Sequence, residues 1–488
     1  MASHFFDKFL TAVWHKAGRR GLRVGRMKTK LHSIKPLAPL AGSICGLLVV
    51  ATFAPILVGP DSSAADPSSP RRSAKALPVP EQQDDSKNQA TRSAEEALGA
   101  GLKYLLAQQH SDGGWGQGGG WRQNINKNGG GGRVEGPNVE DPSDLGNTCV
   151  SLVTLLRAGQ SPAQGEHRAA AAQAFDFICR QVEGADQDSL YVTDVRDTQL
   201  QVKIGTYVDT FLAGWVLSEL KDKVAGEPAE KRRAAALDKV VAKIGHNQRD
   251  DGSFAGNNGW AAVLSQGLCS RALNAASRSG ANVNQEVLGN NQKQNIAGLD
   301  VAKGAFAAAP LAAPSSAGVP LYREASQLGG LIENSKANVA RKAAAEKTMA
   351  DAKAAPEARK KAAQDLLQID ADDKATDAAN KAVVSKLRDA NYTAGFGNNG
   401  GEEFLSYMNI TEGVHARGGQ EWEDWRSKMT KTVCGAQNAD GSWAGQHCIT
   451  GRTFCTATAL LTLLVEQEKD NVRLSNTSPS SNTPVAAK

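Results

Sequence analysis

One short pattern occurs three times in this chain and limits what the chain can fold into. It consists of a Gln, a Gly four residues later and an aromatic residue two positions after that Gly. Its copies are Gln109, Gly113 and Trp115; Gln248, Gly252 and Phe254; and Gln437, Gly441 and Trp443. Weaker copies end at Gln181 and near Phe396, giving about five units. Repetition of this kind indicates an architecture of similar, stacked elements.

Each unit has the pattern of a helical hairpin. Before Gln109, the residues Ala97, Gly101 and Leu105 recur at the spacing of one helix face. The Asp-Gly pair inside the loop ends that helix, because Gly adopts the positive φ that a helix stop requires. The segments that follow, such as residues 149–156 and 457–464, are more uniformly apolar. The sequence therefore predicts a half-exposed helix followed by a buried one.

These Gln-x3-Gly-x-Trp loops resemble the QW repeats of squalene and terpenoid cyclases and of protein prenyltransferase β subunits. The resemblance covers residues 93–280 and 390–468. It implies an all-α fold, an α/α toroid, which complement-type thioester domains also have. The repeat residues then have structural roles: the Gln caps backbone groups and the aromatic ring packs against the next unit. The resemblance implies less about activity, because function depends on sites carried by a fold.

The first 60 residues have the pattern of an export signal or a membrane anchor. Nine Lys or Arg residues lie between Lys8 and Lys35, and the stretch 36–60 carries no charge and is long enough to span a bilayer. Small residues at 63–65 offer a cleavage site, so a cleaved signal and a retained anchor both stay open. We expect an exported protein at the cell envelope, periplasmic or membrane-anchored, with membrane contact through this N-terminal segment.

Composition divides the remainder of the chain. Segments rich in Ser, Pro and charged residues bury too little apolar surface to fold, and we predict disorder there. The predicted boundaries are a disordered linker at 61–92, toroid repeats at 93–281, a loop and Ala/Lys-rich helical insertion at 282–390, toroid repeats at 391–469 and a disordered tail at 470–488. The insertion, with a helix break at Pro356, is either a partner-binding arm or a charged surface helix, and its composition favours the surface helix.

Three carboxylates in the insertion match a catalytic pattern of the resembled family. Asp370, Asp372 and Asp373 form an Asp-x-Asp-Asp sequence, which squalene cyclases use to protonate an alkene. Clustered carboxylates can raise the pKa of one member and so keep a proton on it. Here the pattern lies beside Lys374, and aromatic residues are only 5% of the chain. Cyclisation of carbocations needs aromatic walls, so the composition argues against this activity.

A second candidate site would act by forming a covalent bond. Cys434 and Gln437 have the spacing of an internal thioester, with Ala436 where thioester domains carry an acidic residue. Gln437 also occupies the Gln position of the repeat, which accounts for it without any chemistry. The nearest plausible disulfide in an oxidising compartment joins Cys434 to Cys448.

The chain lacks the Asp-x-Cys sequence with which protein prenyltransferases bind zinc. His447 and Cys448, with Cys455 nearby, do not complete a four-ligand zinc site. We therefore predict no metal ion and no cofactor.

A formal net charge of +5 is too small to indicate a nucleic-acid-binding protein. The sequence favours a non-catalytic binding or scaffold toroid, whose partner is a protein or an apolar ligand. The alternative is a terpenoid-cyclase-like enzyme acting on an isoprenoid, and the third hypothesis is a thioester-type capture protein. A conical apolar cavity with an enclosed carboxylate would favour the cyclase, and a centre filled by side chains would favour the binding module.

Overall fold

The computed structural model describes residues 92–118, 140–307, 318–397, 400–446 and 448–468, which belong to one unit spanning 82–488. These residues are predominantly helical, which confirms the all-α prediction. The predicted signal segment, almost all of the linker and the predicted tail lie outside the described residues. Within the described ranges, no helix is both long enough and apolar enough to cross a membrane.

The helices vary widely in length. In chain order they are α1 (Ala94–Ala107), α2 (Leu145–Arg157), α3 (Arg168–Gly184), α4 (Gln199–Lys203), α5 (Val208–Glu219), α6 (Gly226–Asn247), α7 (Ala262–Ser279), α8 (Gln285–Ile296), α9 (Val319–Ala350), α10 (Pro356–Leu387), α11 (Ala390–Thr393), α12 (Gly401–Arg417), α13 (Gly419–Gly435) and α14 (Arg452–Leu463), followed by a 3-10 turn at Val465–Gln467. Between α8 and α9, β1 (Leu299–Asp300) pairs antiparallel with β2 (Ala305–Phe306), with Leu299 opposite Phe306.

Two kinds of helix alternate along the chain, as the repeat predicts. In α1, only Ala97, Gly101 and Leu105 are buried, so one stripe faces the core. In α5, every residue from Val208 to Ser218 is buried. We call α2, α5, α7, α9, α12 and α14 the core helices, and α1, α3, α6, α8, α10 and α13 the outer helices.

The core helices contact one another in a series that returns to its start. α2 packs on α5, α5 on α7, α7 on α9, α9 on α12, α12 on α14, and α14 on α2. The outer helices pack on the core helices: α1 on α14, α3 on α2, α6 on α5, α8 between α7 and α9, α10 on α9, and α13 on α12. The N-terminal ends of adjacent core helices meet, since a Cβ at Gly146 of α2 would lie 2.7 Å from Asp209 Oδ1 of α5.

The predicted insertion at 282–390 is a correction to the sequence analysis. It contributes the outer helix α8 and the core helix α9, which contacts α7 and α12 and has α10 as its outer partner. Composition does not predict this role, because the average over the segment is dominated by the Lys-rich second half of α9. The first half is buried and includes Leu321, Leu328 and Leu331. The break at Pro356 is confirmed, and residues 339–368 are largely exposed, as expected for a charged surface helix.

Candidate functional site

The repeat loops join one outer helix to the next at three places in the fold. Gln109, after α1, donates from Nε2 to the carbonyl oxygens of Gly113 and of Ala170 in α3, both at 2.9 Å. Gln437, after α13, donates in the same way to Gly441 and to Ala97 of α1, again at 2.9 Å. The amide therefore closes its own loop and binds the backbone of the following outer helix.

The repeat loops require glycine for two reasons, a positive φ and a close approach to a neighbouring backbone. Gly113, Gly252 and Gly441 have φ values of 92°, 82° and 90°. A Cβ added to them would lie 2.4, 2.3 and 2.5 Å from backbone carbonyl oxygens of α3, α8 and α1, respectively. Each loop thus approaches the next outer helix more closely than any side chain permits.

The repeat aromatics are buried in the core. Trp115 and Trp443 are fully buried, and each donates its indole N–H over 2.7 Å to a carbonyl ten residues earlier, at Leu105 and Val433. Phe254 is also buried and packs against Phe211. These contacts are of the structural kind that the repeat predicts.

The loop that contains Gln248 lacks these amide contacts. Both side-chain polar atoms of Gln248 are buried without a hydrogen-bond partner, whereas Gln437 has its two backbone acceptors and accepts from Arg92 at 2.9 Å. We expect Gln437→Ala to lower the free energy of unfolding by about 1–2 kcal/mol. Gln248→Ala, the matched control, should change it by less than about 0.5 kcal/mol. Urea unfolding measures both, and equal losses would contradict this role of the amide.

Two buried aspartates lie where the N-terminal ends of α2 and α5 meet. Asp144 caps α2 by accepting from the Asn147 N–H at 2.8 Å, and Asp209 accepts from Gln201 Nε2 at 2.5 Å. Both are 3% exposed, and neither forms an ion pair with a described side chain. Burial raises the pKa of Asp144 to about 7, with a further rise from Asp209, and burial raises the pKa of Asp209 to about 6. Both carboxyls of this aspartate pair therefore favour the protonated form more than an exposed aspartate does.

A third buried carboxylate begins α12. Glu402 Oε2 accepts from the backbone N–H of Ile449 at 3.2 Å and is in hydrogen-bond contact with the Cys448 thiol. Burial raises the pKa of Glu402 to about 7, opposed by these hydrogen bonds and by Lys203. Cys448 has a φ of 62°, and the amide of Gln199 holds its carbonyl at 2.9 Å. The loop before α14 therefore turns this thiol toward Glu402.

The raised pKa of Glu402 predicts a pH dependence of stability. A carboxyl whose pKa is higher in the folded than in the unfolded chain stabilises the fold below its unfolded pKa, near 4.5, and loses that contribution as the pH rises through 7. The free energy of unfolding of the Glu402→Gln variant, relative to the natural chain, should increase by roughly 3 kcal/mol between pH 4.5 and pH 8. Urea unfolding across this range tests it, and parallel pH profiles would contradict it.

Charged side chains join core helices that are not neighbours in the contact series. The network comprises the cations Arg157, Arg271, Arg278 and Lys336 and the anions Glu219, Glu333, Glu412 and Glu468. Arg271 of α7 reaches Glu412 of α12 at 2.5 Å, and Lys336 of α9 reaches Glu468, beyond α14, at 2.7 Å. The Arg271 guanidinium also lies 4.7 Å from the Trp215 ring centre. These groups therefore lie between core helices that are separated by one helix in the contact series.

Burial by itself would raise the pKa values of Glu333 and Glu468, but the neighbouring cations outweigh it. Lys336, Arg278 and Arg271 hold the pKa of Glu333 well below its usual range. Arg157 and Lys336 lower the pKa of Glu468 to about 2. Glu333 and Glu468 are therefore ionised at neutral pH and form true ion pairs with these cations.

The structure separates the three carboxylates of the Asp-x-Asp-Asp pattern. Asp370 is exposed on α10 and pairs with Lys374 at 2.6 Å. Asp372 is buried and accepts hydrogen bonds from four side-chain amides, those of Gln292, Asn334, Asn338 and Gln368, at 2.9–3.2 Å. Burial raises the pKa of Asp373. Asp372 thereby links α10 to α9 and α8, away from the charged network.

Cys434 and Gln437 lie together at the end of α13, and hydrogen bonds already occupy the amide of Gln437. Burial raises the pKa of the Cys434 thiol, so the thiolate is disfavoured. No disulfide joins Cys434 to Cys448, the nearest plausible pair in the sequence; the loop directs Cys448 to Glu402. His447 lies outside the described residues.

Sequence reasoning missed the aspartate pair and the charged network. Asp144 precedes an apolar run, and a helix cap was the only signal it carried. Arg271 and Glu412 are isolated charges in amphipathic stretches, and only packing brings them together. No model of a known protein family matches the chain, and no curated protein is significantly similar to it.

Proposed function

We propose that the chain is a prenyltransferase/squalene-oxidase (QW) repeat protein whose helices form an α/α toroid. Three observations support this architecture: the contact series of the core helices returns to its start, the outer helices pack on the core helices, and the repeat amides and glycines join successive outer helices at three loops. The N-terminal pattern supports export and retention at the cell envelope.

We further propose that this toroid is a non-catalytic binding scaffold with a protein partner. The observation that carries the proposal is the buried charged network between non-adjacent core helices. A cyclase needs an enclosed apolar cavity, whereas Arg271, Trp215 and Glu412 fill the corresponding space with buried charge and an aromatic ring. The pocket beside this network, about 420 Å³ in volume, is lined by the charged side chains Arg157, Glu219, Arg278 and Glu468, which do not suit an isoprenoid. We therefore place the binding surface on the outside of the fold.

The cyclase alternative rests on the aspartate pair, because a buried carboxyl with a pKa of about 7 holds a proton at neutral pH. Incubation of the full chain with squalene, farnesyl diphosphate and geranylgeranyl diphosphate, followed by mass spectrometry of the extract, separates the two. We expect no cyclised product. Turnover that Asp144→Asn abolishes and the matched variant Asp372→Asn retains would establish the cyclase and reject the scaffold.

We place the surface that binds the partner on the exposed part of the hairpin formed by α9 and α10. Leu367 is 72% exposed and Val339 is 57% exposed, and exposed apolar side chains on a charged hairpin suit an interface. A photo-crosslinking residue at position 367 should capture one defined envelope protein, while the same residue at Lys231 of α6 should not. Equal labelling from both positions, or none, would reject this hairpin as the binding surface.

The thioester hypothesis has a direct test. Methylamine opens an internal thioester and adds its own mass, and intact-mass measurement detects the adduct. Because the amide of Gln437 binds Ala97, Gly441 and Arg92, we expect no adduct. An adduct mapping to Gln437 would contradict the structural role assigned to this loop.

A further inference from the structure

The aspartate pair lies among amide oxygens that have no hydrogen-bond partner. Gln117 and Asn147 are 7% and 0% exposed, and both donate their amide N–H groups to one atom, Asp144 Oδ2, at 3.0 and 2.8 Å. Their oxygens, Gln117 Oε1 and Asn147 Oδ1, are buried and accept nothing. A buried amide oxygen without a partner costs about 1–3 kcal/mol, and two at one carboxylate require an explanation.

The charge balance at this point is also incomplete. Asp144 and Asp209 flank Gly146: a Cβ there would lie 2.7 Å from Asp209 Oδ1 and 3.6 Å from Asp144 Oδ1. No described Lys, Arg or His side chain lies within ion-pair distance of either carboxylate. Two buried carboxylates this close have to be neutralised, either by protons, as their raised pKa values allow, or by a bound cation.

We propose that this cluster is a calcium site, which we call the α2–α5 site, formed by Asp144, Asp209, Gln117 and Asn147. Rotation of the two amides by 180° exchanges nitrogen and oxygen. It would place both amide oxygens about 3 Å from Asp144 Oδ2, a spacing compatible with oxygens that share one Ca²⁺ at 2.3–2.6 Å. The cation would replace the amide hydrogen bonds and neutralise both carboxylates.

The ligand chemistry selects calcium among the common cations. Every donor is a carboxylate or amide oxygen, the hard ligands that Ca²⁺ and Mg²⁺ prefer, and no thiol or imidazole is involved. Ca²⁺ accepts irregular geometry and protein oxygens, whereas Mg²⁺ keeps most of its water in an octahedral shell. In the described residues, no group of three or more His, Cys, Asp or Glu side chains is placed to hold a metal, so the amide oxygens are essential to this site.

Terbium luminescence is the sharpest test, because Tb³⁺ occupies calcium sites and emits when a nearby tryptophan is excited. The Trp115 backbone carbonyl accepts from the Asp144 N–H at 2.9 Å, which places this tryptophan next to the site. The full chain, stripped with EDTA at pH 8, should show Tb³⁺ emission on excitation at 280 nm. Millimolar CaCl₂ should displace it, with a Kd of about 0.1–1 mM, and MgCl₂ should displace it at least tenfold less well.

Two variants locate the site. Asp209→Asn should reduce the Tb³⁺ emission at least tenfold, because it removes a ligand that makes no ion pair. Asp372→Asn is the matched control, a buried carboxylate bonded by amides on α10, and should leave the emission unchanged. Thermal unfolding of the natural chain should also shift upward by several degrees in 10 mM CaCl₂. Absence of emission in the natural chain, or emission that persists in a folded Asp209→Asn variant, would overturn the proposal.

Discussion

Arg271→Met is expected to be among the most destabilising single substitutions in this protein, lowering the free energy of unfolding by about 3–5 kcal/mol. Arg271 is 1% exposed and bonds Glu412 through two nitrogens, at 3.2 and 2.5 Å, and Glu333 at 2.9 Å. The substitution leaves the carboxylate of Glu412 buried with no cation in contact. It also removes the guanidinium from the Trp215 ring.

Urea unfolding at pH 7 measures this loss, and two controls identify its cause. Lys231→Met removes an exposed cation, 76% accessible and paired with Glu227 at 2.8 Å, and should change the free energy of unfolding by less than about 1 kcal/mol. The double variant Arg271→Met/Glu412→Gln should regain part of the loss, because it removes the stranded charge. A loss no larger than that of Lys231→Met would show that the network is hydrated rather than buried.

Gly441→Ala is the second substitution with a large expected effect, about 3 kcal/mol or more. Gly441 has a φ of 90°, and a Cβ there would lie 2.5 Å from the Ala100 carbonyl oxygen in α1. The loop would have to move away from α1, which also pulls Gln437 from its 2.9 Å contact with Ala97. Because α13 and α1 are the last and first outer helices, the substitution weakens the contact between the two ends of the fold.

Gly159→Ala separates the two causes. Gly159 has a similar φ of 77°, but a Cβ there would meet no atom within 4 Å. It should therefore cost only the strain of the left-handed backbone, about 1 kcal/mol. Urea unfolding of both variants isolates the cost of the close approach, and equal losses would mean that the loop can shift away from α1 without penalty.

The alternation of half-exposed and buried helices could be predicted from the sequence because it depends on local order. Helix periodicity, the Asp-Gly stop and the Gln-x3-Gly-x-Trp spacing are encoded within about ten residues of one another. The helix before Gln109 and the buried aromatic at Trp115 are confirmed for this reason. The Gln side chain was expected to cap backbone groups, and two of the three copies do so.

The position of α9 could not be predicted in the same way. Its Lys-rich half dominates the composition of the segment, and composition therefore predicts a surface insertion for the whole of it. Burial of Leu321, Leu328 and Leu331 depends on α7 and α12, which are distant in sequence. A helix is buried when the apolar faces of neighbouring helices cover it, and the composition of the helix itself does not show whether such neighbours exist.

The sequence by itself determined the helical class, the hairpin repeat and the loops that join one hairpin to the next, because local periodicity and turn chemistry are sufficient for them. Only the tertiary structure decided which charges meet. It united Arg271 with Glu412, and Asp144 with Asp209, across 141 and 65 residues of chain. Electrostatic energy depends on separation and burial in space, and neither quantity can be calculated before the helices are packed.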